Sequence, residues 1–298
     1  MKSFNSHKVS PEHAGLTVEA YLKTILQFSG RKLQKLTRQK GIFLNGKKVF
    51  LQKKLKTDDI VRVLILEDTN FGVQPEAGSI DILYEDKFVI VVNKPPFQLV
   101  HPTGQTTGGT LANFLAYHIQ QLGLVTTMRP VHRLDRDTSG CVVFAKDSQS
   151  QSLLEGQLRA QQFKRSYLAL VAGQVAPPAG TIDAPIGSHP KLPNRRAIDP
   201  AGDPAVTHYS TLRILGEASL LELQLDTGRT HQIRVHLTHL GHPIIGDGMY
   251  GVRNSAINRQ ALHANTVRFL DLENGQEITV TAPLPPDFTQ AIQNFSPE

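Results

Sequence analysis

Two carboxylates, two guanidinium groups, an imidazole and two hydroxyls stand within the run Pro130-Val131-His132-Arg133-Leu134-Asp135-Arg136-Asp137-Thr138-Ser139-Gly140. Such a set can support acid, base or nucleophilic chemistry by a carboxylate that a nearby cation keeps ionised. The run ends in Asp-Thr-Ser-Gly, a turn pattern, and enters Cys141-Val142-Val143-Phe144-Ala145, a strand pattern. Charges beside a buried strand are costly unless they pair with each other or with a ligand. The plainer alternative is a polar turn whose Asp and Thr side chains bond nearby backbone amides. Residue type does not decide between Asp135 and Asp137.

A second cluster is Thr227-Gly228-Arg229-Thr230-His231-Gln232-Ile233-Arg234-Val235-His236-Leu237. Arg229 and Arg234 lie beside an expected helix start, where backbone amides and guanidinium groups favour a phosphate or a carboxylate. His231, His236, His239 and His242 invite a metal reading, and His236 and His239 are three apart. The His-Glu-x-x-His pattern is absent, however, and no metal is expected. Cys141 is the only cysteine, which excludes an internal disulfide and a thiolate cluster.

The elements that must position these groups can be read in outline. Ile80–Tyr84 and Phe88–Val92 read as strands, the second stopped by Pro95-Pro96. Thr110 can cap a helix carrying Leu111, Phe114, Leu115 and Ile119. Ser148 to Arg159 reads as a helix and Phe163 to Val171 as a strand. Residues 176–204 hold seven prolines, a density that predicts a long connection rather than a third domain. Strands follow at about 205–214 and 218–226, and a helix then carries Ile233, Leu237 and Leu240. Strands dominate without strict alternation, so the body is expected to be α+β, a mixed, largely antiparallel sheet with flanking helices.

Ahead of the body lies a small basic α/β segment. Residues 1–66 carry 14 Lys+Arg against 4 Asp+Glu, whereas the rest of the chain carries 18 against 22. A basic segment on a mildly acidic body suggests that one part grips a polyanion, nucleic acid before membrane. A helix is predicted over 16–26 with Gly30 as its stop, then a second from Arg31 to Lys40, capped by Ser29. Arg31, Lys35 and Arg38 make a cationic stripe on the second. Asn45-Gly46 between apolar flanks predicts a hairpin whose far strand begins Lys47-Lys48. The amino terminus has no apolar leader, and no apolar run is long enough to span a bilayer, so a cytoplasmic protein without membrane contact is expected.

The motifs carry a resemblance. His132-Arg133-Leu134-Asp135 with Thr138-Ser139-Gly140 resembles the signature of RluA-type pseudouridine synthases. Lys164-Arg165-Ser166-Tyr167-Leu168-Ala169 resembles the tyrosine motif of that family. Thr227 to His236, with Gly241-His242-Pro243-Ile244 and Gly246-Asp247, resembles its third motif. Residues 1–67 resemble the alpha-L RNA-binding module, 68–79 would be a linker, and 80–298 would be the catalytic domain. The resemblance implies isomerisation of uridine in structured RNA, large-subunit ribosomal RNA before transfer RNA, without cofactor or metal and by a monomer. It makes Asp135 the catalytic carboxylate, Arg234 its partner and Tyr167 the ring against uracil. Arg133, His132, Ile233 and Arg229 would bind the substrate, with Arg133 entering the RNA stack. Arg31, Lys35, Arg38, Lys47 and Lys48 would bind RNA. Two rivals stand beside it: a non-catalytic RNA-binding or ribosome-assembly factor, and a glycosidase using Asp135 and Asp137.

Overall fold

A computed structural model describes residues 3–66, 68–251, 253–254 and 256–296. The basic segment begins with β1 (Phe4–Lys8), then α1 (Val18–Ala20) and α2 (Gly30–Arg38), then β2 (Ile42–Leu44), β3 (Lys47–Lys48) and β4 (Ile60–Leu64). Its sheet runs β1-β4-β2-β3 and covers a core of its own that includes Val18, Leu22, Leu33, Leu36, Val61 and Val63. Asn45 and Gly46 both take positive φ (50° and 79°), the twist a two-residue hairpin loop needs.

Two expectations shift here. The first helix is only three residues of α-helix, followed by wider π-helical turns over Tyr21–Ile25. Gln27, at φ 56°, lies past that helix, and Gly30 opens the next helix instead of closing this one. The cause is Ser29, whose hydroxyl accepts the Lys32 N–H and so fixes Gly30 as the first helical residue.

The body contains β5 (Ile82–Glu85), β6 (Val89–Lys94), α3 (Leu111–Gln121), β7 (Arg129–Pro130), β8 (Ser139–Ala145), α4 (Ser148–Arg159) and β9 (Lys164–Ala172). Next come β10 (Ala179–Asp183), β11 (Ile186–Ser188), β12 (Arg196–Ile198), β13 (Val206–Leu215), β14 (Ala218–Leu225) and α5 (Gln232–His239), and finally β15 (Leu262–Leu270), β16 (Glu277–Thr281) and α6 (Pro286–Phe295). The main sheet runs β10-β13-β14-β9-β15-β8-β6-β5, with β16 on β15 and β7 on β8. Its ladders are antiparallel except β15 with β8, so the α+β, mixed and largely antiparallel expectation holds.

Both faces of this sheet are covered. Along β8, Val142 and Phe144 join the core under α3, whereas Cys141 and Val143 join a second core with Leu154 of α4. That is why β8 reads as a continuous apolar run and not as an alternating one. The proline-rich stretch, expected to be a connection, contains β10, β11 and β12. Its prolines fall between strands, at residues 177, 178, 185, 190, 193, 200 and 204, where a missing N–H breaks no ladder bond. Residues 68–79 hold no helix or strand, yet Phe71 and Val73 pack on the body's core and Asp68 pairs with Arg129 at 2.5 Å.

Candidate active site

The turn that carries Asp135 immediately precedes β8, the most buried strand. Thr138 N–H closes it on the Asp135 carbonyl at 3.1 Å. Two fully buried cations hold the turn from behind. Lys94, at the end of β6, donates to the carbonyls of Pro95 (2.7 Å), Gln98 (2.8 Å) and Arg136 (2.9 Å). Burial pulls its pKa down to about 7 against the opposing charge of Asp137. Arg259 donates to the Asp137 carbonyl at 3.2 Å while its Nε and Nη2 grip Asp287 of α6 at 2.6 and 3.0 Å.

Forward of the turn, Arg234 on α5 donates from Nη1 to Asp135 Oδ2 at 3.0 Å. Its Nε and Nη2 hold the two oxygens of Asp247 at 2.7 and 2.8 Å. Asp247 is fully buried and also accepts the N–H groups of Met249 and Tyr250. Burial works against its charge, but Arg234 and these amides outweigh that and lower the carboxyl's pKa. Burial likewise opposes the charge on Arg234, and Asp247 with Asp135 outweighs it, so the guanidinium stays charged. Arg234 is thus locked by one carboxylate and presents its free edge to the other. Tyr250 lies under the guanidinium at 4.9 Å and bonds His231 Nδ1 at 2.8 Å. His231 Nε2 stands 3.9 Å from Asp135, and burial lowers its pKa more than Asp135 raises it.

Asp135 opens on a cavity of about 350 Å³. Tyr167, from the middle of β9, forms part of its wall and is 4% exposed. Burial pushes the phenol's pKa up, Arg165 pulls it down, and Asp135 adds to the rise. Ile233 is buried in the same wall, and Arg133 and Arg229 stand exposed around it, Arg229 bonded to the Pro204 carbonyl at 3.0 Å. His132 lines the cavity but is buried. Its Nε2 accepts the Val143 N–H at 3.3 Å, and burial with the nearby Arg165 drops its pKa to about 3, so it is a neutral strut against β8. Asp137 faces elsewhere: it pairs with its neighbour Arg136 at 2.7 Å and lines a second cavity, beyond Arg234. The two aspartates of the turn therefore do not converge on one site.

The helix-face histidine considered for metal is a core residue. His236 bonds Thr207 Oγ1 and the Ala184 carbonyl at 2.9 Å each. Among the described residues no group of three His, Cys, Asp or Glu side chains is placed to hold a metal ion. In the basic segment Arg31, Lys35, Arg38, Lys47 and Lys48 are all exposed, and none forms an ion pair among the described residues. Sequence reading missed Lys94, Asp247, Tyr250 and Arg259 as site residues. Only Asp247 left a trace, as the end of the Gly246-Asp247 pair.

The RNA pseudouridylate synthase family model matches residues 88–239, which include Asp135, Tyr167 and Arg234. An uncharacterized RNA pseudouridine synthase of Bacillus subtilis, YhcT, is 39% identical over 96% of each chain. A ribosomal large subunit pseudouridine synthase D of Xanthomonas campestris is 37% identical, over 92% of this chain and 87% of that one. Among solved structures, human RNA pseudouridylate synthase domain containing 4 is 27% identical with a TM-score of 0.59, covering 72% of this chain and 92% of its own. The ordered motifs, the sheet and this near full-length identity agree, and the chain belongs to the RNA pseudouridylate synthase family.

Proposed function

We propose that the Asp135 cavity isomerises uridine to pseudouridine in large-subunit ribosomal RNA. The observation that carries this reading is the 3.0 Å pair of Asp135 and Arg234 at a cavity walled by Tyr167. Arg234, locked in turn by Asp247, gives this carboxylate a fixed cationic partner. Tyr167 supplies a ring on which an everted uracil stacks, worth about 1–3 kcal/mol per base. Its hydroxyl, in the same wall, handles the proton at carbon 5. Arg133 replaces the departed base in the stack, and Arg229 contacts a phosphate at the rim. His132 and Ile233 shape the pocket. The C1′–N1 bond breaks, the uracil turns in place, the C1′–C5 bond forms, and the carbon-5 proton leaves as N1 gains one. No co-reactant enters the balance.

Residues 1–67 would act as a separate alpha-L-type RNA grip, 68–79 as its connection and 80–298 as the catalytic domain. Support comes from the exposed, unpaired cations on α2 and β3, and from the large-subunit synthases whose length this chain nearly spans. The test is to map pseudouridines in total RNA from cells with and without the gene, and with the gene carrying Asp135→Asn. The expected result is that the same large-subunit sites disappear from the last two. Loss confined to transfer RNA would replace the substrate, and no loss anywhere would end the reading.

A further inference from the structure

Three arginines at this cavity, Arg133, Arg159 and Arg229, are exposed at its rim, and Arg234 is committed to Asp135 and Asp247. Arg165 differs from all of them. It sits two residues before Tyr167 on β9, on the same face of the strand. Its Nε is completely enclosed and has no hydrogen-bond partner, while Nη2 makes a long 3.4 Å contact to the Thr227 carbonyl and the Tyr167 hydroxyl lies beside the guanidinium. No carboxylate pairs with it among the described residues. Its guanidinium lies close to Gly228, where an added Cβ would come within 3.2 Å of Nη1. Tyr167 and the neutral His132 beside it carry no negative charge, and Asp226, which lines the same cavity, pairs with His208 at 2.9 Å. A half-buried cation without a partner is expensive to keep unless a bound group supplies negative charge.

We propose that Arg165 stabilises the negative charge that builds on the uracil ring while its bond to the ribose is broken. Phosphates stay with the RNA backbone at the rim, where the exposed arginines are, and the base is the part of the nucleotide that reaches the interior wall. A bound uracil is neutral. When C1′–N1 cleaves, its electron pair moves onto N1 and spreads over the two carbonyl oxygens, and it later forms the C1′–C5 bond. If Asp135 instead attacks carbon 6 of the base first, the electron pair of the C5–C6 double bond moves onto carbon 5 and the carbon-4 carbonyl oxygen, one of the two oxygens charged in the first route. In both routes Arg165 interacts more strongly with the transition state than with the substrate, which is the condition for raising kcat. This assignment rests on the pseudouridine reading above and makes that cavity's inner arginine, not only its carboxylate, part of the chemistry.

The experiment uses the full chain and a stem-loop RNA carrying a uridine that the wild-type enzyme converts, made with either uridine or 5-fluorouridine at that position. Fluorine withdraws electrons, so the fluorinated ring bears negative charge more easily and needs the guanidinium less. Single-turnover cleavage of the N1–C1′ bond is followed for wild type, Arg165→Met and Arg165→Lys, alongside RNA affinity and thermal melting. Arg165→Met is expected to slow cleavage of the uridine RNA by about 10²–10³-fold, the usual loss when one such donor is removed. Its affinity should be unchanged, its defect smaller on the fluorinated RNA, and most of the rate should return in Arg165→Lys. An equal defect on both RNAs, or a loss seen only in affinity, would overturn the assignment in favour of a structural or phosphate-binding arginine. If Arg165→Met does not fold, Arg165→Gln, which keeps a donor toward Thr227, is compared in the same way. Failure of the wild type to convert any uridine would fall on the pseudouridine reading, not on Arg165.

Discussion

Asp135 and Asp137 share a turn and a residue type, and their surroundings separate them. Asp135 meets a guanidinium that a second, buried carboxylate already holds rigid, whereas Asp137 bonds the exposed Arg136 beside it in the chain. Asp135→Asn keeps the volume and removes the charge. It should reduce pseudouridine formation by a factor on the order of 10⁴, the upper range for loss of a positioned acid or base, with RNA affinity in a filter-binding assay unchanged. Asp137→Asn should keep most of the activity. The reverse pattern would exchange their roles. A pH effect follows from His132. Burial leaves it with a pKa of about 3 in the folded chain against the ordinary 6.5. Below pH 6.5 the unfolded chain takes up a proton there and the folded chain does not, so stability falls as pH drops toward 3. Each unit costs about 1.4 kcal/mol. Urea unfolding at about pH 7 and pH 5 should show wild type losing roughly 2 kcal/mol more than His132→Gln over that interval. An identical pH dependence would mean that His132 is already charged in the fold. At this scale the sequence disclosed the groups that face the cavity, because their types are unusual side by side. It hid Asp247, Lys94 and Arg259, because each acts through a partner distant in the chain, and a lysine before two prolines reads only as a strand end.

Elements were legible where the local code and the tertiary demand agree. Thr110 caps α3 through a reciprocal bond with Asn113, and Asp147 caps α4 by accepting two backbone amides. Both helices lie where the sequence places them. The sequence reading passed over β15, β16 and α6, although Asn274-Gly275 marks the turn between the two strands and Pro285-Pro286 opens the helix; the π-helical turns after α1 leave no such mark. The parallel contact of β8 with β15 is the least local feature of all, and it depends on one residue. Gly140 sits at φ 109° opposite Ala264, and a Cβ there would lie 2.2 Å from the Ala264 carbonyl oxygen. Neither the backbone angle nor the space suits another residue. Gly140→Ala should therefore force the two strands apart, destabilise the domain by several kcal/mol and shift the Asp135 turn with it. Thermal melting and activity of the surviving folded fraction measure the two effects, and a variant with wild-type melting would show that the ladder accommodates the methyl.

At the level of the whole molecule, the partition of charge was visible from counting alone, because a net charge per segment needs no fold. What counting could not give is whether nearby carboxylates neutralise the cations of α2 and β3. They do not: among the described residues the segment's ion pairs are Lys8 with Asp58 and Lys23 with Glu19, which leaves the α2 and β3 cations facing solvent. The basic segment packs a core of its own, apart from those of the body, which fits the proposed placing of affinity and chemistry on different parts of the chain. The consequence is measurable. Each phosphate neutralised by a side chain releases condensed counterions, so the salt dependence of RNA binding reports how many contacts a variant has lost. Lys35→Glu with Arg38→Glu should weaken binding and reduce the slope of log K against log salt by about 2. The rate of isomerisation within the bound complex should stay the same, because neither residue lines the Asp135 cavity. A changed slope together with a changed single-turnover rate would mean that the segment also shapes the cavity. An unchanged slope would move the grip on RNA to the rim arginines of the catalytic body.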